Sequence, residues 1–162
     1  METTLFYILA VVTVIGTVMA ITEKHPVHAI VYLVTSFFSL AMIFFLLAAP
    51  LIAMFEVIIY AGAVMVLFMF VIMMLDLGRP SEAARPGLRQ WVLPSILGGI
   101  ILISIGAVAV SHFSAPDKQG VIGIKDFSVT LFRKYGVAIE IISMQLLFAV
   151  VGALYLGRKR DN

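Results

Sequence analysis

Two glutamates stand where a charge is hard to keep. Glu56 lies between Phe55 and Val57, and Glu140 lies within Ala138-Ile139-Glu140-Ile141, both inside long apolar stretches. A charge at the centre of a membrane helix costs roughly 3 kcal/mol on insertion scales, so each is a candidate functional group by default. Two readings of Glu56 stand open. One is an interfacial carboxylate reaching back towards water; the other is a carboxyl withdrawn from water, able to take and give up a proton or to pair with a neighbouring subunit's Lys or Glu. The same choice stands for Glu140. Asp76, which closes the third apolar stretch, reads as an interfacial charge in water.

Tyr60 follows Glu56 by four residues, which puts both on one face of a helix. A phenol at membrane depth needs a partner, and packing explains it as well as a role in a proton path. Ala61-Gly62-Ala63 then places three small residues mid-helix. Small residues let neighbouring backbones approach. Alternatively they mark a weak point: glycine costs about 1 kcal/mol against alanine in a helix interior, and an inserted residue there makes a π-bulge.

Other chemistry falls away. The chain has no cysteine, which excludes disulfides, thiolate metal sites, protein-ligated iron–sulfur clusters and a cysteine nucleophile. His25 and His28 lie near one membrane boundary while His112 ends the fourth apolar stretch on the other side, too far for one pair to hold a haem across roughly 30 Å. No glycine-rich loop opens a strand–helix unit, so no nucleotide site is indicated, and nothing points to nucleic acid.

The elements that carry these residues follow from composition. Of 162 residues, 62% are hydrophobic and 12% charged, against roughly 45–50% and 25% in soluble chains. With 11 Lys+Arg and 9 Asp+Glu the chain cannot cover a water-soluble surface, and it reads as an all-α integral membrane protein. Continuous apolar blocks, unlike the alternating strands of a barrel, predict five transmembrane helices at 3–21, 28–48, 51–75, 91–112 and 136–156 within a single membrane domain, 1–162. The first block lacks a leading cation and a small-x-small cleavage site, so it reads as a retained span. Ala48-Ala49-Pro50 predicts a tight hairpin between the second and third spans. The 113–135 stretch reads as the longest loop. Gly16 with Ala20, and Ser95 with Gly99, read as packing positions, here against other chains. Phe37-Phe38 and Phe44-Phe45 face lipid or partner helices, with nothing to choose between them.

Five spans put the termini on opposite sides. Lys24, Arg79, Arg85, Arg89, Arg158, Lys159 and Arg160 fall on one side, and Lys118, Lys125, Arg133 and Lys134 on the other. The positive-inside rule then sets the N-terminus outside and the C-terminus in the cytoplasm. Trp91, at the start of the fourth span, suits an interfacial anchor.

The string Glu56-Val57-Ile58-Ile59-Tyr60-Ala61-Gly62-Ala63-Val64-Met65-Val66-Leu67-Phe68, running on to Val71-Ile72-Met73-Met74-Leu75, closely resembles the subunit J family of bacterial NADH–quinone oxidoreductase, respiratory complex I, whose mitochondrial counterpart is NADH dehydrogenase subunit 6. His25-Pro26-Val27-His28-Ala29, with Tyr32-Leu33 following, is a second point of similarity. The resemblance implies a multi-pass subunit of the bacterial cytoplasmic membrane, beside the subunits that shape the quinone chamber and begin the chain of proton channels. It implies that FMN, iron–sulfur clusters, NADH and quinone are held by other subunits and that this chain binds none of them. It implies a π-bulge in the third helix over Tyr60 to Val66, interconverting with regular helix to open and close a water path, and a place for Glu56 in a buried charged axis linking quinone chemistry to proton translocation. Shifting a bulge by one residue turns downstream side chains by about 100°. Met65, Val66 and Phe68 then block or clear a file of water by dewetting, Gly62 eases the irregular state, and Tyr60 steers. Glu140 matches a glutamate near the start of the family's last helix and is the secondary candidate. The competing readings are an accessory subunit of a cation/proton antiporter and a purely structural membrane subunit.

Overall fold

The computed structural model describes residues 2–74, 88–114 and 123–158. Leu75, Asp76, Arg79, Arg85, Lys118, Lys159 and Arg160 lie outside the described residues. Five helices are long and apolar enough to cross a membrane: α1 (Glu2–Thr22), α2 (Pro26–Leu46), α3 (Pro50–Met74), α4 (Leu88–Ser114) and α5 (Ile124–Gly157). They fall into two compact units, Met1–Val121 and Ile122–Asn162.

In the first unit, α2 is the helix against which the others pack. It starts two residues before the expected position because Pro26 occupies its first turn after an extended His25, the place where proline's missing N–H and fixed φ do no harm. It also ends two residues early. Ala48 takes a left-handed φ of 59°, its N–H donates to the Phe45 carbonyl and the Ala49 N–H to the Phe44 carbonyl. That is a Schellman closure with alanine where glycine is preferred, and it turns the chain directly into Pro50 and α3. The tight hairpin read from Ala48-Ala49-Pro50 is therefore present.

α1 and α2 meet along a seam of small and hydroxyl-bearing residues. Ser39, fully buried, donates to the Leu9 carbonyl at 2.8 Å, and Ser36 donates to the Thr13 carbonyl at 3.0 Å. The Thr17 and Ser36 hydroxyls lie 2.9 Å apart. A Cβ on Gly16 would come within 3.2 Å of both the Ser36 Cβ and the Tyr32 carbonyl oxygen, so Gly16 packs inside this chain. Gly99, the expected partner of Ser95 in a second small-residue pair, has nothing within 4 Å of its Cβ position. Below the seam, Leu9, Val12, Tyr32 and Ile43 join Leu97 and Ile101 of α4 in one apolar cluster.

At one end of the unit the His25 and His28 rings lie 5.7 Å apart and His28 meets the Trp91 ring edge-on at 5.8 Å. Half-exposed Trp91 therefore keeps an aromatic neighbour on α2 as well as its open face.

The second unit corrects the loop expected before the last span. The apolar pattern places that helix at 136–156 and reads 113–135 as loop; α5 instead begins at Ile124. Lys125, Asp126, Arg133 and Lys134 hide this early stretch from a hydropathy reading, which detects apolar spans and not helix as such. The backbone leaves helical geometry at Tyr135, with φ −118° and ψ 19°, and no described side chain of α5 is buried within the chain.

Candidate functional site

α3 is not a regular helix. From Glu56 to Val64 it is π-helical, nine residues between an ordinary first turn and an ordinary final stretch. In this form the N–H of one residue bonds the carbonyl five residues back; the Met65 N–H still points to the Tyr60 carbonyl where the segment closes. The irregularity starts four residues before the Tyr60–Val66 stretch to which the resemblance assigned it. It takes in Glu56, Tyr60 and Gly62, and leaves Met65, Val66 and Phe68 on the regular helix just beyond.

The wide turn resets which side chains face the chain's interior. Ala53, Glu56, Ala61 and Met65 are the buried positions of α3, separated by three, five and four residues. An unbroken helix starting from Ala53 and Glu56 would return to that face near residues 60 and 64. Observed burial comes one residue late, the signature of one inserted residue. Gly62 sits inside the wide turn: a Cβ there would lie 3.2 Å from the Val57 carbonyl oxygen, five residues back. Glycine avoids that contact.

Glu56 is 8% exposed, packed where the π-helical segment lies on α2. Among the described residues none donates a hydrogen bond to its carboxyl, and no fully buried side-chain oxygen or nitrogen there lacks a partner. The carboxyl tip therefore reaches the edge of the packed surface, with its shaft enclosed. Tyr60 is 49% exposed and leans on Phe37 of α2 with ring centroids 5.6 Å apart. Phe37, left undecided between lipid and partner helix on sequence, thus has a neighbour inside its own chain.

Met65 is buried while Val66 and Phe68 are about half exposed. The three residues read as blocking or clearing the water file are therefore split between an inward and an outward set. Glu140 lies on α5 and is exposed. An apolar groove of about 320 Å³ runs between α2 and α3, lined by Ala41, Phe45, Ala53 and Val57 among others; such a surface does not hold water well. Ser36 and Ser39 were missed on sequence, because an isolated serine in an apolar run carries no sign of which carbonyl it will reach. Among the described residues, no three His, Asp or Glu side chains gather as a metal site.

Helices long and apolar enough to span a membrane, with an enclosed acid in a long π-helical turn, define a class: a multi-pass membrane protein whose irregular helix bears its one enclosed carboxyl among the described residues. Comparison with known proteins places it further. The profile of the family NADH-ubiquinone/plastoquinone oxidoreductase chain 6 matches residues 16–156, and the chain belongs to that family. NADH-quinone oxidoreductase subunit J of Pseudomonas aeruginosa is 39% identical over 163 residues, covering 95% of each chain. The protein of the same name from Escherichia coli strain K12 is 39% identical over 161 residues, covering 95% of this chain and 85% of its own. That of Buchnera aphidicola subsp. Schizaphis graminum is 35% identical, with 96% and 97% covered.

Proposed function

We propose that this chain is a membrane-arm subunit of a proton-translocating NADH–quinone oxidoreductase, and that α3 gates the water path by which protons move when electrons pass from NADH to quinone. The observation that carries the reading is the π-helical Glu56–Val64 segment with Glu56 enclosed in its first turn. A π turn differs from a regular one by a single inserted residue, so the two forms interconvert by shifting hydrogen bonds one carbonyl along. Each such shift turns Met65, Val66 and Phe68 by about 100°. Met65 then leaves the inner face, Val66 turns further from it and Phe68 swings across it, and a file of water forms or dewets beside Glu56. Glu56 takes and passes on the proton, Tyr60 steers from its place against Phe37, and Gly62 keeps the irregular form accessible.

FMN, iron–sulfur clusters, NADH and quinone belong to other subunits of the assembly. The neighbours are the subunits that form the quinone chamber and the first proton channels, in the bacterial cytoplasmic membrane, with the N-terminus outside and the C-terminus in the cytoplasm. Membership of the chain 6 family supports an assembly subunit over an accessory chain of a cation/proton antiporter. A purely structural subunit would tolerate changes at Glu56 and Gly62 wherever assembly survives.

Glu56→Gln keeps the shape of the side chain and removes its proton exchange. The expected outcome, in inverted membrane vesicles, is NADH oxidation reduced modestly and the proton-to-electron ratio reduced more. An unchanged ratio with intact assembly contradicts a relay role for Glu56.

A further inference from the structure

α5 is too long for its membrane. Its 34 residues extend about 51 Å at 1.5 Å per residue, while the hydrocarbon layer is about 30 Å thick. The break at Tyr135 divides the helix where this arithmetic requires. The part from residue 136 to 157 measures about 33 Å, enough to span. The part from residue 124 to 134 measures about 16 Å and lies outside the hydrocarbon. Composition changes at the same point: Lys125, Asp126, Arg133 and Lys134 all precede the break, and Glu140 is the only charged residue between it and Gly157.

The early segment is two-sided. At about 100° per residue, Ile124, Phe127, Leu131 and Tyr135 line one stripe, with Phe132 on its shoulder and Ser128 its one polar residue, whose hydroxyl donates to the Lys125 carbonyl at 3.0 Å. Asp126, Thr130 and Arg133 fall on the opposite face, where Val129 is the exception. Lys125 and Lys134 lie at the two borders between the faces, the positions from which a long ammonium side chain reaches lipid phosphates while its stem stays over apolar ground. Ile124 and Phe132 are largely exposed within this chain. Tyr135, with the Lys134 Nζ 5.7 Å from its ring centroid, sits at the turn, and tyrosine is enriched at the headgroup level.

We infer that Ile124–Lys134 is an interfacial helix that lies along the bilayer surface, its Phe127–Leu131 stripe sunk below the headgroups and its three cations bound to anionic lipid. One acid against three cations gives the segment the charge of a lipid-surface helix. A protein face would have to supply acids at both borders of the stripe to match Lys125 and Lys134. The segment anchors the start of the last span, fixing how deep Glu140 sits.

The chain has no cysteine, so single cysteines can be placed in it without background from its own residues. The intact assembly carrying Phe127→Cys, Leu131→Cys, Asp126→Cys or Thr130→Cys is reconstituted in lipid nanodiscs of phosphatidylcholine alone, or of phosphatidylcholine and phosphatidylglycerol in equal amounts. Labelling by a water-soluble polymer maleimide is followed as the mass shift of this chain. Positions 127 and 131 should label several-fold more slowly than 126 and 130, and the gap should widen with phosphatidylglycerol. Replacing Lys125, Arg133 and Lys134 together by Gln should remove the dependence on lipid charge. Equal rates on the two faces would overturn the inference. So would slow labelling at 127 and 131 that ignores lipid composition, which would mean that another subunit covers the stripe.

Discussion

Between α1 and α2, Ser39 and Ser36 donate to the carbonyls of Leu9 and Thr13, and no polar group of the seam is left to water. In α3 the Glu56 carboxyl receives no hydrogen bond from any described residue, and the helix around it is opened by an extra residue. Both regions use a glycine to solve a close approach. Gly16 lets two helices touch, whereas Gly62 lets one helix deform. A seam in which every donor has its acceptor has one low-energy arrangement; a π turn has a neighbouring regular form one hydrogen-bond shift away. In the proposed gate the first two helices are the fixed wall, and the third is the part that moves against it.

The largest expected effect tests the wall. Gly16→Leu would drive a side chain into Ser36 and the Tyr32 backbone. Overpacking of this kind costs about 1–3 kcal/mol or more, and here it would prise α1 from α2. Blue-native gels should show little assembled complex, and normal assembly would mean that the contact is slack.

Ser39→Ala is the finer cut at the same seam, removing one interhelical hydrogen bond and leaving the shape. Such bonds in membrane proteins average about 0.6 kcal/mol, so the solubilised assembly should melt slightly earlier with its proton-to-electron ratio unchanged. A change in that ratio would show that the wall takes part in the gate.

The smallest effect has the opposite sign. Ala48, at the turn joining α2 to α3, holds a left-handed φ that costs a non-glycine residue roughly 1–2 kcal/mol, against which glycine's own greater loss of backbone freedom must be set. Ala48→Gly should leave activity unchanged and raise thermal stability by no more than about 1 kcal/mol. A loss of stability would mean that the alanine methyl packs where the assembly needs it.

Much of this was legible beforehand because membrane burial speaks loudly in sequence. Runs of twenty apolar residues can only be spans, so five helices follow from the gaps between charges. Glu56 stands out because almost nothing polar surrounds it, and Ala48-Ala49-Pro50 is too short for anything but a turn. The early start of α5 was hidden, since an amphipathic stretch with four charges resembles a loop to any measure of hydropathy. The reach of the π segment was hidden for a different reason. Gly62 marks weakness at one point, but how many hydrogen bonds shift depends on how Glu56, Ala61 and Met65 seat against α2. The split of Met65 from Val66 and Phe68 follows from that seating and could not precede it.

The most direct test is Gly62→Leu in the assembled enzyme reconstituted in sealed vesicles, with NADH oxidation and internal acidification followed together. A leucine Cβ would crowd the Val57 carbonyl that the wide turn brings to 3.2 Å, and leucine favours regular helix over glycine by nearly 1 kcal/mol. The expected result is an assembled enzyme that still passes electrons to quinone and builds no proton gradient. Full acidification at the normal ratio to NADH oxidised would contradict a gate in α3.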